Sequence, residues 1–128
     1  MPRVLLVEDD PFLARAYEVK FESEGIAFSL AKTGQEGLDK MKAEKPDLLL
    51  LDIMLPGRSG FEVLEEMKQS PQFKDIPVVV LSNLGQEDDI KRALSLGAKE
   101  YLIKTDVKLE DVAQTVKKYL NQGMGNKG

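Results

Sequence analysis

The sequence predicts an α/β domain in which a parallel sheet is covered by helices on both faces. Short apolar runs alternate with amphipathic stretches along all 128 residues. Apolar runs bounded by turn formers are typical of strands buried on both faces. Regular alternation of such strands with helices is typical of a parallel sheet. The length fits one domain, and 42% hydrophobic residues are enough to form its core.

The strands are predicted from five apolar runs. The run at residues 48–51 consists of leucine alone and predicts the most deeply buried strand. Pro77 precedes the fourth run, in keeping with the tolerance of proline at the start of a strand. The predicted strands are Arg3–Val7, Ala27–Ala31, Leu48–Asp52, Val78–Leu81 and Glu100–Ile103.

The first two helices are predicted from their boundary residues. Asp10 is suited to cap a helix that starts with Pro11, and Gly25 is suited to end it. These signals predict a helix over Pro11–Glu24. A second, shorter helix is predicted over Gln35–Glu44, because Pro46 disfavours its continuation.

The last three helices are predicted from apolar spacing and charge. Phe61–Gln69 carries one apolar face, and Glu87–Leu96 has an acidic first turn and is followed by Gly97. Lys108–Gln122 has an apolar stripe at helical spacing. The sequence therefore predicts a domain over residues 1–122 and a flexible C-terminal tail over residues 123–128.

Charged side chains follow three of the predicted strands. Glu8 and Asp9 follow the first strand, Asp52 ends the third, and Lys104 follows the fifth. Ligand sites of open parallel sheets lie beyond the carboxyl ends of the strands. Clustered carboxylates repel one another unless a cation offsets their charge, and Mg²⁺ prefers oxygen ligands. We therefore expect an acidic Mg²⁺ pocket that faces Lys104 and suits a phosphoryl group.

Each of these residues also has a purely structural interpretation. Asp52 alone could cap a turn, and Lys104 alone could be a surface lysine at a strand end. Ser82 could cap a turn after the fourth strand, and Tyr101 could simply pack in the fifth. The structural interpretation weakens for Asp52 because Glu8 and Asp9 end a neighbouring strand.

The composition excludes several classes of protein. The absence of cysteine and histidine rules out disulfides, thiolate metal sites and a phosphohistidine on this chain. A net charge of −4 disfavours nonspecific nucleic-acid binding. No apolar stretch is long enough to span a bilayer, and the N-terminus runs almost directly into a strand. We therefore expect a cytoplasmic protein without a signal peptide.

Motifs of common phosphate-handling enzymes are also absent. The sequence has no P-loop and no glycine-rich dinucleotide motif after the first strand. Phosphatases with an aspartyl nucleophile usually carry a second aspartate two residues later, where this chain has Met54. A general acid for a leaving group is thus missing from that position.

Four segments, taken together, resemble the receiver domains of bacterial response regulators. The segments are Val4–Asp10, Leu51–Gly60, Pro77–Ser82 and Gly97–Lys104. The match extends from Val4 to about Leu120 and has all four segments in order. The resemblance implies a flavodoxin-like, doubly wound sheet with five parallel strands in the order 2-1-3-4-5.

The resemblance also implies roles for individual residues. Asp52 is expected to be the phosphoacceptor, and Lys104 to bind the phosphoryl group. Asp9, Asp52 and the backbone carbonyl of Met54 are expected to bind Mg²⁺, with Glu8 acting through water. Ser82 and Tyr101 are expected to form a switch pair. Output is expected through the surface formed by the fourth helix, fifth strand and fifth helix.

Two residues depart from the family pattern. Thr105 follows Lys104 where the family usually has proline, often with a cis bond, so we expect a trans bond and an altered loop. Asn83 stands where a smaller residue is common and is expected to alter hydrolysis or donor access.

The resemblance predicts a stand-alone switch rather than an enzyme acting on other substrates. Its expected partners are a sensor histidine kinase or phosphotransfer protein and a downstream protein target, with a monomer or a phosphorylation-dependent homodimer. A phosphorelay intermediate and a small Mg²⁺-dependent phosphohydrolase remain as alternatives. A receiver fragment of a longer protein also remains open.

Overall fold

The computed structural model describes residues 2–125, and within them five strands alternate with five helices. The elements are β1 (Arg3–Val7), α1 (Pro11–Ser23), β2 (Ala27–Ala31), α2 (Gly34–Glu44), β3 (Leu48–Leu51), α3 (Gly60–Gln69), β4 (Val78–Ser82), α4 (Glu87–Ser95), β5 (Glu100–Ile103) and α5 (Leu109–Gly125).

The strands form one parallel sheet in the order β2-β1-β3-β4-β5. This confirms the predicted fold class and strand order. Val7 pairs with Leu51, and Leu51 pairs with Val80, so the central strands end almost level with one another. The residues that follow β1 and β3 therefore emerge side by side at the carboxyl edge of the sheet.

Apolar side chains bury the sheet on both faces. Leu49 and Leu51 belong to a core formed with α2, α3 and α4, whereas Leu48 and Leu50 belong to a core formed with α1 and α5. All four leucines of β3 have no exposed surface. This explains why the strand is uniformly apolar instead of alternating.

The predicted element boundaries differ from the observed ones by a few residues. Asp52 lies just beyond β3, and Ser82 is the last residue of β4. The last helix continues to Gly125, three residues past its predicted end at Gln122. The predicted flexible tail covered residues 123–128, of which 126–128 lie outside the described residues.

The predicted turn glycines adopt left-handed backbone conformations. Gly25 has φ +71 and Gly97 has φ +107, each just after a helix. Such φ values favour glycine, which explains the helix ends at these positions. Across residues 2–125, none of the helices has the length and apolar character needed to cross a membrane.

Candidate functional site

The acidic cluster arises from the register of β1 and β3. The Asp52 amide donates to the Val7 carbonyl at 3.1 Å, which extends the pairing one residue past β3. Glu8 and Asp52 then emerge next to each other, and both are buried. Carboxylate oxygens of Glu8, Asp9 and Asp52 lie within 4.8 Å of one another, and Asp9 is exposed to solvent.

Lys104 provides the positive charge in this pocket. Its Nζ lies 2.6 Å from Glu8 Oε1 and 2.9 Å from Asp52 Oδ2. The lysine side chain is only 8% exposed. The Lys104 amide donates to the Ser82 carbonyl at 3.0 Å and so fixes the lysine backbone beside the end of β4. One buried ammonium group is thus shared by two buried carboxylates.

Burial and ion pairing oppose each other at these groups. Burial raises the pKa of Glu8, and Lys104 offsets this only in part, so the net pKa is above its ordinary value. Burial lowers the pKa of Lys104, whereas hydrogen bonds to Glu8 and Asp52 raise it. The hydrogen bonds and charges of the two carboxylates together outweigh burial, so the net pKa of Lys104 is above its ordinary value. The lysine therefore stays charged at neutral pH.

Backbone amides bind the carboxylate oxygens that Lys104 does not. The Met54 amide donates to Asp52 Oδ1 at 3.1 Å, and the Asp10 amide donates to Glu8 Oε2 at 3.1 Å. The Met54 side chain is 57% exposed and lies outside the core. Both buried carboxylates are thus held in fixed orientations by one charged and one neutral donor.

Gly60 holds the loop after Asp52 against the site. Its amide donates to the Ile53 carbonyl at 2.9 Å. A Cβ at this position would lie 2.5 Å from the Asp52 carbonyl oxygen and 2.6 Å from the Ile53 Cα. Residues 55–60 include Pro56, Gly57 and Ser59, which are typical of a loop. The close approach of Gly60 depends on long-range packing and has no local signal in the sequence.

Ser82 and Tyr101 are connected through the loop between β4 and α4. Ser82 is fully buried, and its hydroxyl accepts a hydrogen bond from the Leu84 amide at 3.4 Å. The Tyr101 hydroxyl donates to the Leu84 carbonyl at 2.5 Å. Burial and the nearby Asp89 raise the pKa of Tyr101, while Ser82 lowers it in part. Leu84 was not singled out from the sequence, because its role depends on backbone atoms.

The remaining candidate residues have simpler surroundings. Asp10 caps α1, since its carboxylate accepts from the Phe12 amide at 2.9 Å and the Leu13 amide at 3.3 Å. Asn83 is exposed. No peptide bond between residues 2 and 125 is cis, so the expected trans bond between Lys104 and Thr105 is confirmed.

The donor set at the carboxyl edge fits Mg²⁺. Glu8, Asp9 and Asp52 offer hard oxygen donors within a small volume, and exposed Asp9 leaves room for water ligands. Softer metals favour thiolate or imidazole ligands, and this chain has neither cysteine nor histidine. The acidic cluster therefore fits a magnesium site.

The fold and this acidic pocket define the class of protein. Residues 4–117 match the family model described as the response regulator receiver domain. The transcriptional regulatory protein AfsQ1 of Streptomyces coelicolor is 35% identical over 81% of this chain, and the gliding motility regulatory protein of Myxococcus xanthus is 36% identical over 89%. The chain belongs to the response regulator receiver family and works in phosphorylation-based signalling.

Solved structures show the same fold. A CheY-like response regulator receiver domain from Methanospirillum hungatei matches with a TM-score of 0.88 and 27% identity, covering 100% of this chain and 99% of that one. The receiver domain of the Francisella response regulator 1452 matches with a TM-score of 0.88 and 26% identity, covering 96% and 99%.

The curated relatives are longer than this chain. The matched part amounts to 45% of AfsQ1 and 15% of the Myxococcus protein. The chain thus spans less than half the length of each of these two relatives.

Proposed function

We propose that this chain is a phosphorylation-activated switch that accepts a phosphoryl group on Asp52 from a sensor histidine kinase. The observation that carries the proposal is the contact between Asp52 Oδ2 and Lys104 Nζ at 2.9 Å inside an acidic pocket. A buried carboxylate such as Asp52 can act as a nucleophile. Its phosphorylated product carries negative charge, which the neighbouring ammonium group of Lys104 can bind.

In the proposed reaction, an Asp52 carboxylate oxygen attacks the phosphorus of a phosphohistidine in line. The new O–P bond forms as the P–N bond breaks, and the electron pair returns to the departing imidazole. Lys104 then binds the transferred phosphoryl oxygens. Glu8, Asp9, Asp52 and the Met54 carbonyl would hold Mg²⁺, which when bound supplies positive charge next to the phosphoryl oxygens.

The proposed switch uses the Ser82–Leu84–Tyr101 connection. An acyl phosphate on Asp52 adds acceptor oxygens that draw the Ser82 hydroxyl away from the Leu84 amide. The loop that carries Leu84 then changes position, and the Tyr101 ring follows it. The surface formed by α4, β5 and α5 thereby gains a second state that a downstream protein can recognise.

The chain acts as a catalyst only on itself in this proposal. Water hydrolyses the phosphoaspartate and resets the switch. A phosphotransfer protein could replace the kinase as donor, and phosphorylation could shift a monomer towards a homodimer through the output surface. The cytoplasmic location stays a prediction.

The proposal is tested by intact-mass measurement after incubation with Mg²⁺ and acetyl phosphate or phosphoramidate. Asp52→Asn and a Mg²⁺-free sample are the controls. We expect one phosphoryl adduct that both controls lack. An unlabelled wild-type protein that still binds Mg²⁺ would contradict the proposal, unless free phosphate accumulates in step with donor loss.

The same samples separate the alternatives. Turnover of unrelated phosphoesters without an adduct would indicate a phosphohydrolase. Transfer of the phosphoryl group from Asp52 to a histidine of a second protein would indicate a phosphorelay intermediate.

A further inference from the structure

Helix α4 is weakly attached to the rest of the molecule. Among its nine residues only Ala93 is buried, and its capping residue Gln86 makes no side-chain cap hydrogen bond. Leu94 on the same helix is 45% exposed. A short helix with one small buried side chain has little apolar surface to fix its position.

Arg92 supplies a specific connection between α4 and α3. Its guanidinium carbon lies 4.2 Å from the centroid of the Phe61 ring, and its Nη2 lies 3.3 Å from Glu65 Oε1. A planar guanidinium group can stack on an aromatic ring and pair with a carboxylate at the same time. We call Arg92, Phe61 and Glu65 the α3–α4 clamp.

The α3 side of the clamp is fixed relative to Asp52. Phe61 directly follows Gly60, which is packed against the Asp52 carbonyl oxygen and hydrogen-bonded to Ile53. The Phe61 side chain is only 7% exposed. Phe61 is therefore buried at the start of a helix that packs directly against the backbone of the proposed phosphorylation site.

The α4 side is attached to Ser82. The loop that leads into α4 contains Leu84, whose amide donates to the Ser82 hydroxyl. Any shift of this loop towards a phosphoryl group would move α4 relative to α3, and such a shift would strain the contacts of Arg92.

We infer that Arg92 is a positioning residue that holds α4 in its resting position. It thereby sets the equilibrium between the resting and the activated conformation. The clamp is complete while Lys104 is bound to Asp52, so it stabilises the resting arrangement. By linkage, whatever stabilises the resting state weakens the binding of a phosphoryl group or its mimic. The effect of Arg92 on phosphoryl binding rests on the proposed function, whereas its role in attaching α4 to α3 does not.

The attachment is tested by amide hydrogen exchange in the unphosphorylated protein. Arg92→Ala is compared with Lys91→Ala, which removes the same charge from a neighbouring residue. Within the described part of the chain, Lys91 forms an ion pair only with Glu87 of its own helix. We expect α4 amides to exchange about three- to tenfold faster in Arg92→Ala, with α1 amides unchanged. Equal exchange in the two variants would overturn the inference.

The coupling is tested by titration with beryllofluoride and Mg²⁺, followed by NMR signals of β5. We expect Arg92→Ala to bind the mimic about three- to tenfold more tightly than wild type, with Arg92→Lys in between. A merely structural role would leave the affinity unchanged or weaken it, and either result would overturn the regulatory part. If wild type binds no beryllofluoride, the proposed function fails, and the exchange comparison still decides whether Arg92 holds α4.

Discussion

At the residue scale, the site depends on how one lysine is shared. The sequence predicted that Lys104 faces an acidic cluster, because each group follows a parallel strand. It could not show that Glu8 is as deeply buried as Asp52 or that Lys104 contacts both. Those facts depend on the register between β1 and β3 and on the path of the chain after β5.

Replacement of Lys104 by methionine should leave two buried carboxylates without a counter-charge. Breaking a buried ion pair in this way costs about 3–5 kcal/mol. Burial already raises the pKa of Glu8, and loss of the lysine removes the group that lowers it. A carboxyl group whose pKa is raised in the folded state contributes stability below its unfolded pKa and loses that contribution as the pH rises. The deficit should therefore grow as the pH rises above about 4.5, the ordinary pKa of a glutamate.

Urea unfolding at several pH values, with EDTA present, measures this effect. Lys108→Met is the matched control, because Lys108 is exposed and its side chain has no ion pair among residues 2–125. A deficit for Lys104→Met that is independent of pH would show that its cause is lost packing and not uncompensated charge.

At the scale of elements, the three acidic residues after β1 have different structural roles. Asp10 accepts hydrogen bonds from the amides of Phe12 and Leu13 and caps α1, whereas Asp9 belongs to the candidate metal site. The role of Asp10 as the helix cap could be predicted from the sequence, because Pro11 marks the start of the helix. Boundaries without such a marker, such as the end of α5, were predicted less closely.

Alanine substitutions at Asp10 and Asp9 should therefore affect different properties, namely stability and Mg²⁺ binding. Asp10→Ala should lower the free energy of unfolding by about 1 kcal/mol and retain Mg²⁺ binding. Asp9→Ala should retain that free energy in EDTA and lose the rise in melting temperature that Mg²⁺ produces by binding the folded state. Thermal scans with EDTA or Mg²⁺ measure both quantities, and a Mg²⁺ response lost in Asp10→Ala instead would shift the metal site by one residue.

The start of α3 shows what sequence patterns cannot reveal. Gly60 lies in a run of turn formers, and nothing local distinguishes it from Gly57. Only the folded chain shows that a Cβ at Gly60 would lie 2.5 Å from the Asp52 carbonyl oxygen.

Gly60→Ala should consequently destabilise the protein by about 1–3 kcal/mol through a clash with backbone atoms. Gly85→Ala is the control, since the atom nearest to the added methyl group would be Ile103 Cδ1, the end of a side chain, at 3.1 Å. Denaturation midpoints of the two variants measure the difference. Equal midpoints would mean that the loop after Asp52 yields more easily than its packing indicates.

At the scale of the whole molecule, local pattern was enough to predict the fold class, whereas the strand order was predicted from the resemblance to receiver domains. Uniformly apolar strands, helix boundary residues and regular alternation leave few topologies for a parallel sheet. Contacts between distant side chains have no comparable signature. The stacking of Arg92 on Phe61 and the bond from Tyr101 to Leu84 each join separate elements, and each connects the site to α4 or its loop.

The three tyrosines make the stability of the whole molecule sensitive to alkaline pH. Burial raises the pKa of Tyr17 to about 12, and burial together with Glu100 raises that of Tyr119 to about 12. The pKa of Tyr101 is also raised, by burial and Asp89. Unfolded tyrosines ionise near pH 10, so between about pH 10 and 12 the unfolded state loses protons that the folded state keeps. The contribution of the three tyrosines to the free energy of unfolding should therefore be fully present below pH 10. It should fall as the pH rises from about 10 to 12.

Ultraviolet absorbance of tyrosinate, recorded with urea midpoints from pH 8 to 12, measures both the ionisation and its effect on stability. We expect little tyrosinate at pH 10 while the protein is folded, and about half ionisation in urea. Tyr119→Phe should show a smaller loss of stability above pH 10, because one of the three groups no longer ionises. Half-developed absorbance at pH 10 in the folded protein would contradict the burial that raises these pKa values. An equal or steeper loss in Tyr119→Phe would show that Tyr119 does not contribute to the alkaline fall in stability.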